Sequence, residues 1–242
     1  MTTRRGRTPE RGRTPRPGLA RPLEALTFLL PLIAFSEVAA LSLSSSAALP
    51  QQDRVVAFHL LRVFFQLFGS TAVLMPALAV VAILLATHVA SRQPWRIRKS
   101  AVALMYLESL ALAVPLILVH RWTRLAGGGS ATGWLGEAAL GTGAGIYEEL
   151  VFRLILISVI VMIGSDLLGR PLAYVLPAAV LVSAMFFAAH HHPPLGGDPF
   201  DARRFLFRTL AGLYLGTIFV VRGYGPAAGT HAAYNLIVLS QA

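Results

Sequence analysis

Three short stretches of this 242-residue chain place polar groups among almost wholly apolar neighbours. Residues 145–153 (GIYEELVFR) hold two adjacent carboxylates and a guanidinium, residues 186–192 (FFAAHHH) end an apolar run on three histidines, and residues 231–235 (HAAYN) hold a histidine and an amide. On a helix, residues four apart share a face. Glu149 and Arg153 therefore pair as an internal ion pair. Glu148 is turned about 100° from Glu149, because a turn takes 3.6 residues, and is left free for chemistry. Phe186 and His190 are also four apart, as are His231 and Asn235.

The chemistry such groups suit is water activation. A carboxylate partly withdrawn from solvent is a usable general base, and a histidine beside it can orient the same water. A second histidine and an asparagine amide are donors that can stabilise an oxyanion when a carbonyl is attacked. Cysteine is absent, and no serine stands in a convincing nucleophile setting. Hydrolysis of a peptide bond by a Glu-activated water is the reaction these residues allow. The competing readings are a structural charge cluster for Glu148, Glu149 and Arg153, and a polar helix end at the headgroups for His190–His192. A plain interhelical hydrogen bond for His231 and Asn235, and a metal site built from Glu148, His190 and His231, complete the set.

The elements that must position these residues are membrane helices. The chain is 55% hydrophobic and 13% charged, with a mean hydropathy of +0.65, whereas a soluble domain carries about a quarter charged residues. A charge at mid-bilayer costs about 2.5–3.5 kcal/mol on insertion scales, which makes each buried charge a functional candidate. Apolar runs at 23–43, 70–90, 101–120, 135–163, 172–189, 205–221 and 227–239 predict about seven spans, all helical, since a helix needs about 20 residues to cross. The alternating ten-residue strands of a membrane barrel are not seen. Residues 54–68 repeat Arg54, Arg62 and Gln66 at multiples of four, a polar stripe that lies at the interface or lines the bundle.

Residues 1–22 carry seven arginines and no apolar periodicity, so they predict a disordered basic cytoplasmic tail that orients the first helix. An uncleaved first helix is preferred over a signal peptide, and nucleic acid is not an expected partner. The basic stretch 92–99 is expected to be cytoplasmic, and Trp122 and Trp134 bracket a Gly-rich loop at headgroup level. Glu37 and Glu108 are expected to cap polar cavities or to pair with arginines such as Arg62. His59, His88 and His120 are expected at the interface, near span ends.

Taken in order within apolar helices, Glu148-Glu149-x-x-x-Arg153, Phe186-x-x-x-His190 and His231-x-x-x-Asn235 resemble the three motifs of the CPBP family of intramembrane proteases. That family comprises the CAAX prenyl proteases and their bacteriocin-processing relatives. The resemblance covers about 135–239, including the Gly-rich lead 223–230 before His231. It implies Glu148 as the base and His190 as its partner on the catalytic water. It implies His231 and Asn235 as the oxyanion site, with Glu149, Arg153 and Phe186 in support. The triple histidine permits a second frame, Phe187-x-x-x-His191, which makes His191 the alternative histidine. His190 is preferred because small Ala189 precedes it. No cofactor is expected; zinc is the alternative.

The reading is therefore an all-α, polytopic transmembrane bundle with a CAAX-protease-like core. It divides into the tail 1–22, N-terminal transmembrane helices over 23–130, and a catalytic core over 131–242. The expected function is an intramembrane endopeptidase in the cell (inner) membrane, N-terminus cytoplasmic. Its expected partners are the lipid bilayer and a membrane-anchored protein or peptide substrate. A proton-coupled transporter and a non-catalytic scaffold or immunity protein are the alternatives. One conflict stands in this reading: strict alternation of seven spans puts His190 and His231 at different depths.

Overall fold

The structure is a computed structural model that describes residues 21–45, 74–123 and 133–239. Every element among the described residues is a helix: α1 Pro22–Ser45, α2 Met75–Ser91, α3 Lys99–Thr123, α4 Gly133–Leu167, α5 Leu172–Ala189, α6 Ala202–Arg222 and α7 Tyr224–Leu239. The expected tail, the polar stripe 54–68 with Arg62 and His59, and residues 124–132 of the Gly-rich loop lie outside the described residues. The predicted apolar runs that can be compared each fall on one helix.

Five helices are long and apolar enough to span a membrane: α1, α3, α4, α5 and α6. At 17 residues, α2 is apolar but shorter, and α7 has 16, against the roughly 20 that a full crossing takes. Length alone therefore qualifies five of the expected seven. The outward faces are apolar: Leu104, Leu107, Leu110, Val114 and Leu118 form an exposed stripe along α3. Such a surface is at home against lipid and costly against water. The chain is a multi-pass helical membrane bundle.

The centre of the bundle is α7, one of the two helices that lack the length to span. It packs most closely on α4 and α3, and also touches α6 and α1. Small residues make this possible, since lipid-embedded helices associate by close backbone approach rather than by hydrophobic burial. A Cβ at Gly145 of α4 would stand 2.7 Å from the Ala232 Cα of α7, so the two backbones touch beside Glu148. Cross-helix hydrogen bonds lock the arrangement. Tyr224 Oη donates to the Ile146 carbonyl at 2.9 Å, and Ser36 Oγ of α1 donates to the Ala139 carbonyl at 2.9 Å. Between α6 and α7 stands a single residue, Gly223, at φ 99°, a conformation that an L side chain disfavours.

The long helix α4 is irregular where the charges sit. It is α-helical to Glu149, widens to a π-helix over Leu150–Ile157, and widens again over Met162–Leu167. Such widenings loosen the usual ladder and recur at functional sites. Across from it, Ser183 Oγ of α5 donates to the Phe152 carbonyl at 2.7 Å. His88, in the last turn of α2, is 1% exposed, its ring edge-on to Trp95 at 4.4 Å between centroids, where the segment after α2 packs over it.

Candidate active site

Glu148 and Glu149 are both buried, at 2% and 0% exposure, yet they face different partners. Glu149 Oε1 lies 3.0 Å from Arg153 Nη1 and 2.9 Å from His231 Nδ1. The same-face spacing thus forms the expected ion pair, and Glu149 has a second function, as acceptor for His231. The Arg153 guanidinium is enclosed: Nη2 donates to the Gly212 carbonyl at 3.3 Å, and its carbon sits 4.3 Å over the Phe187 ring. A buried charge held by an opposite charge, a carbonyl and an aromatic face is stable only as a set.

Glu148 faces three imidazoles. His190 Nε2 is 3.4 Å from its Oε1, His191 Nε2 is 3.9 Å from the same oxygen, and His231 Nε2 is 3.7 Å from Oε2. The other ring nitrogens are already committed. The Nδ1 atoms of His190 and His191 both approach the Phe187 carbonyl, at 2.5 Å and 2.9 Å, and a carbonyl only accepts. His231 Nδ1 faces the Glu149 carboxylate, another acceptor. Each imidazole therefore carries its proton on Nδ1, and in the neutral state its Nε2 is a lone pair.

Three lone pairs thus converge on a carboxylate that is itself an acceptor only. The cluster requires something that donates: a water, an added proton on an imidazole, or a metal cation. Burial, aided by nearby His190 and Arg208 and opposed by Glu148, lowers the His191 pKa to about 4, so this imidazole is neutral near pH 7. For a metal, Glu148, His190 and His191 each bring a ligand atom within 4.8 Å of one another. With Nδ1 acting as donor, both Nε2 atoms are in the form that binds zinc, so the donor set fits the ion. It differs from the set expected from the sequence, with His191 in place of His231.

A cavity of about 450 Å³ opens from this cluster. His191, His231 and Asn235 line the end nearest Glu148, and Tyr234, His120, Phe207 and Leu116 line its flank. Asp198, Arg204 and Arg208 make it strongly polar elsewhere. Asn235 is half-buried, and its Nδ2 donates to the Gly141 carbonyl at 2.9 Å, leaving the second amide hydrogen for another acceptor.

The structure thus brings together Glu148, His190, His231 and Asn235, with Glu149 and Arg153 behind them. Phe186 is left out. It is 58% exposed, whereas Phe187 is 3% exposed and touches the rings of Phe152, His190, His191 and His231. Consecutive helix positions point about 100° apart, and the 187 position is the one that faces α4. Phe187 serves both frames, because its carbonyl accepts from His190 and from His191. The depth conflict is resolved by the segment after α5, which turns back into the bundle so that His190 and His192 are 2% and 5% exposed.

Sequence reasoning missed His120, Tyr234, Asp198 and Arg208. Tyr234 Oη lies 3.0 Å from His120 Nδ1. The available signal for Tyr234 was its place inside the 231–235 stretch. Glu37 and Glu108 find partners: Tyr147 Oη donates to Glu37 Oε1, and Arg222 grips Glu108 at 2.5 Å and 2.9 Å.

Compared with protein-family models, residues 129–237 match the one described as type II CAAX prenyl endopeptidase Rce1-like. No curated protein and no solved structure matches the chain.

Proposed function

We propose that this multi-pass chain, whose residues 129–237 match the CAAX prenyl endopeptidase model, is a membrane-embedded protease acting on protein substrates, and that Glu148 is its general base. One observation carries the proposal: the Nε2 atoms of His190 and His191 stand 3.4 Å and 3.9 Å from Glu148 Oε1, and that of His231 stands 3.7 Å from Oε2, beside a cavity that His191 and His231 line. A water there donates one hydrogen to Glu148 and the other to a neighbouring Nε2. Its oxygen is then polarised toward a carbonyl in the cavity.

The steps balance with one water consumed per bond cut. Glu148 takes a proton as the water oxygen bonds to the scissile carbon, and the carbonyl oxygen becomes an oxyanion. His231 and Asn235 supply the donors for it. For His231 this requires a hydrogen on Nε2, with the ring held in place by Glu149 against Nδ1. Asn235 uses its second amide hydrogen. Collapse breaks the C–N bond, and Glu148 returns its proton to the departing amine. His190 holds the water. Glu149 and Arg153 position the donors.

The substrate under this reading is a membrane-anchored protein or peptide, reached from the bilayer. The expected setting is the cell membrane with the basic N-terminal segment cytoplasmic, in keeping with the positive-inside rule. A second reading is favoured by the donor set itself: Glu148, His190 and His191 would hold a zinc ion. Bound there, zinc would supply Lewis-acid polarisation of a water or carbonyl.

The test is co-expression with a membrane-anchored reporter carrying a candidate cleavage site. Wild type is expected to process it, and Glu148→Ala and His231→Ala to lose processing by about 100-fold or more. Unchanged processing in both variants would overturn the assignment. Activity that survives exhaustive chelation supports the water reading over zinc.

A further inference from the structure

The cavity beside Glu148 has a cationic end that the reaction does not use. Arg208 projects from α6 into it, and one of its nitrogens, Nη2, is held by Asp198 Oδ2 at 2.5 Å. The other, Nη1, is buried and has no hydrogen-bond partner. A buried guanidinium hydrogen without an acceptor is costly, and the side chain that carries it lines an open cavity, so Arg208 is a feature to be explained. Arg204 lines the same cavity.

Asp198 is itself fixed. It lies in the segment that turns back after α5, where its backbone N–H donates to the His191 carbonyl at 3.1 Å. His192 Nδ1 donates to the Asp198 carbonyl at 3.0 Å. Burial would raise the Asp198 carboxyl, but the hydrogen bond and charge of Arg208, with His191 and Arg204 nearby, hold it below the usual range. The brace on Arg208 is thus tied to the histidine segment that forms the water site. His191 and Asp198 of this one segment both line the cavity.

A guanidinium presents parallel donors that match a carboxylate. With one nitrogen spent on Asp198, the remaining donors and Arg204 accept one further anion. A cavity of about 450 Å³ holds only a few residues of extended peptide between the two ends. We propose that Arg208, braced by Asp198, is a specificity-determining residue that binds a carboxylate of the substrate a few residues from the scissile bond. The carboxylate is the free C-terminus of the chain or an acidic side chain. The inference rests on the protease reading for what fills the cavity, but its signature is binding.

The probe is a pool of N-palmitoyl hexapeptides of mixed apolar sequence, made with a free α-carboxylate, with a carboxamide, and with a carboxamide plus a penultimate aspartate. Binding of each to the full chain in nanodiscs is measured by competition, and cleavage is followed separately by mass spectrometry. Wild type is expected to bind the free acid about tenfold or more above the carboxamide, the range of a charge-assisted pair. If the aspartate peptide recovers the tenfold, the side chain is a sufficient source; if it does not, the terminus is the ligand. Arg208→Gln is expected to bring the ratio within about twofold, and Arg208→Lys to restore part of it. Asp198→Asn, which keeps the guanidinium but frees it, should weaken the preference. Equal binding of all three peptides to wild type overturns the proposal whatever the variants do. So does an undiminished ratio in folded Arg208→Gln. If binding discriminates but no peptide is cut, the protease reading is what fails for these probes, and the subsite stands.

Discussion

On one side of α4, Glu149 Oε1 is ion-paired with Arg153 Nη1 and hydrogen-bonded by His231 Nδ1, and no exposed surface remains. On the next side, Glu148 meets no cationic side chain among the described residues but three imidazole Nε2 atoms, at 3.4–3.9 Å. The two carboxylates are chain neighbours at the same depth of the same helix. What separates them is a rotation of about 100°, which turns one toward an enclosed guanidinium and the other toward imidazoles that line a cavity. A charge pair sealed from solvent holds structure. A carboxylate among imidazoles beside a cavity is where a reacting molecule fits.

The widest break in that comparison comes from the charge-paired side. Removing one partner of a buried ion pair strands the other, at about 3–5 kcal/mol. Glu149→Gln and Arg153→Met are each expected to lower the melting temperature sharply in detergent or nanodiscs, and to reduce activity along with the folded fraction. Melting unchanged in both would mean that the pair holds nothing.

A smaller effect sharpens the aromatic boundary between the two sides. Phe187→Ala empties the space over Arg153 and between the histidines, at roughly 3 kcal/mol. Phe186→Ala, one residue earlier and exposed, should cost under about 0.5 kcal/mol. Thermal melts of the two variants check this. A larger loss at 186 would mean that the frame has been read on the wrong residue.

This pair also shows where the sequence is legible. Apolar runs delimit helices because lipid demands them, so α5 is read to the residue and α4 to within a turn. The Glu149–Arg153 pair follows from spacing alone. Within FFAAHHH, however, the repeated residues offer two frames, and only the packing of α5 on α4 says which phenylalanine points inward. The function of Arg208 is harder still to read. In sequence it is one arginine of three near the start of an apolar helix. It becomes a cavity group only because the segment after α5 turns back to bring Asp198 against it. The π-helical stretch of α4 has no composition signal at all. That Trp95 covers His88 has no sequence signal either, because a position near a helix end does not reveal what will pack on it.

The central claim is that Glu148 reacts and Glu149 supports. Single-turnover cleavage of a processed reporter by Glu148→Gln, corrected for folded fraction and set beside its melting curve, tests it directly. The predicted result is a melting temperature within a few degrees of wild type and a cleavage rate lower by about 100-fold or more. A folded Glu148→Gln protein that still cleaves within about fivefold of wild type would contradict it.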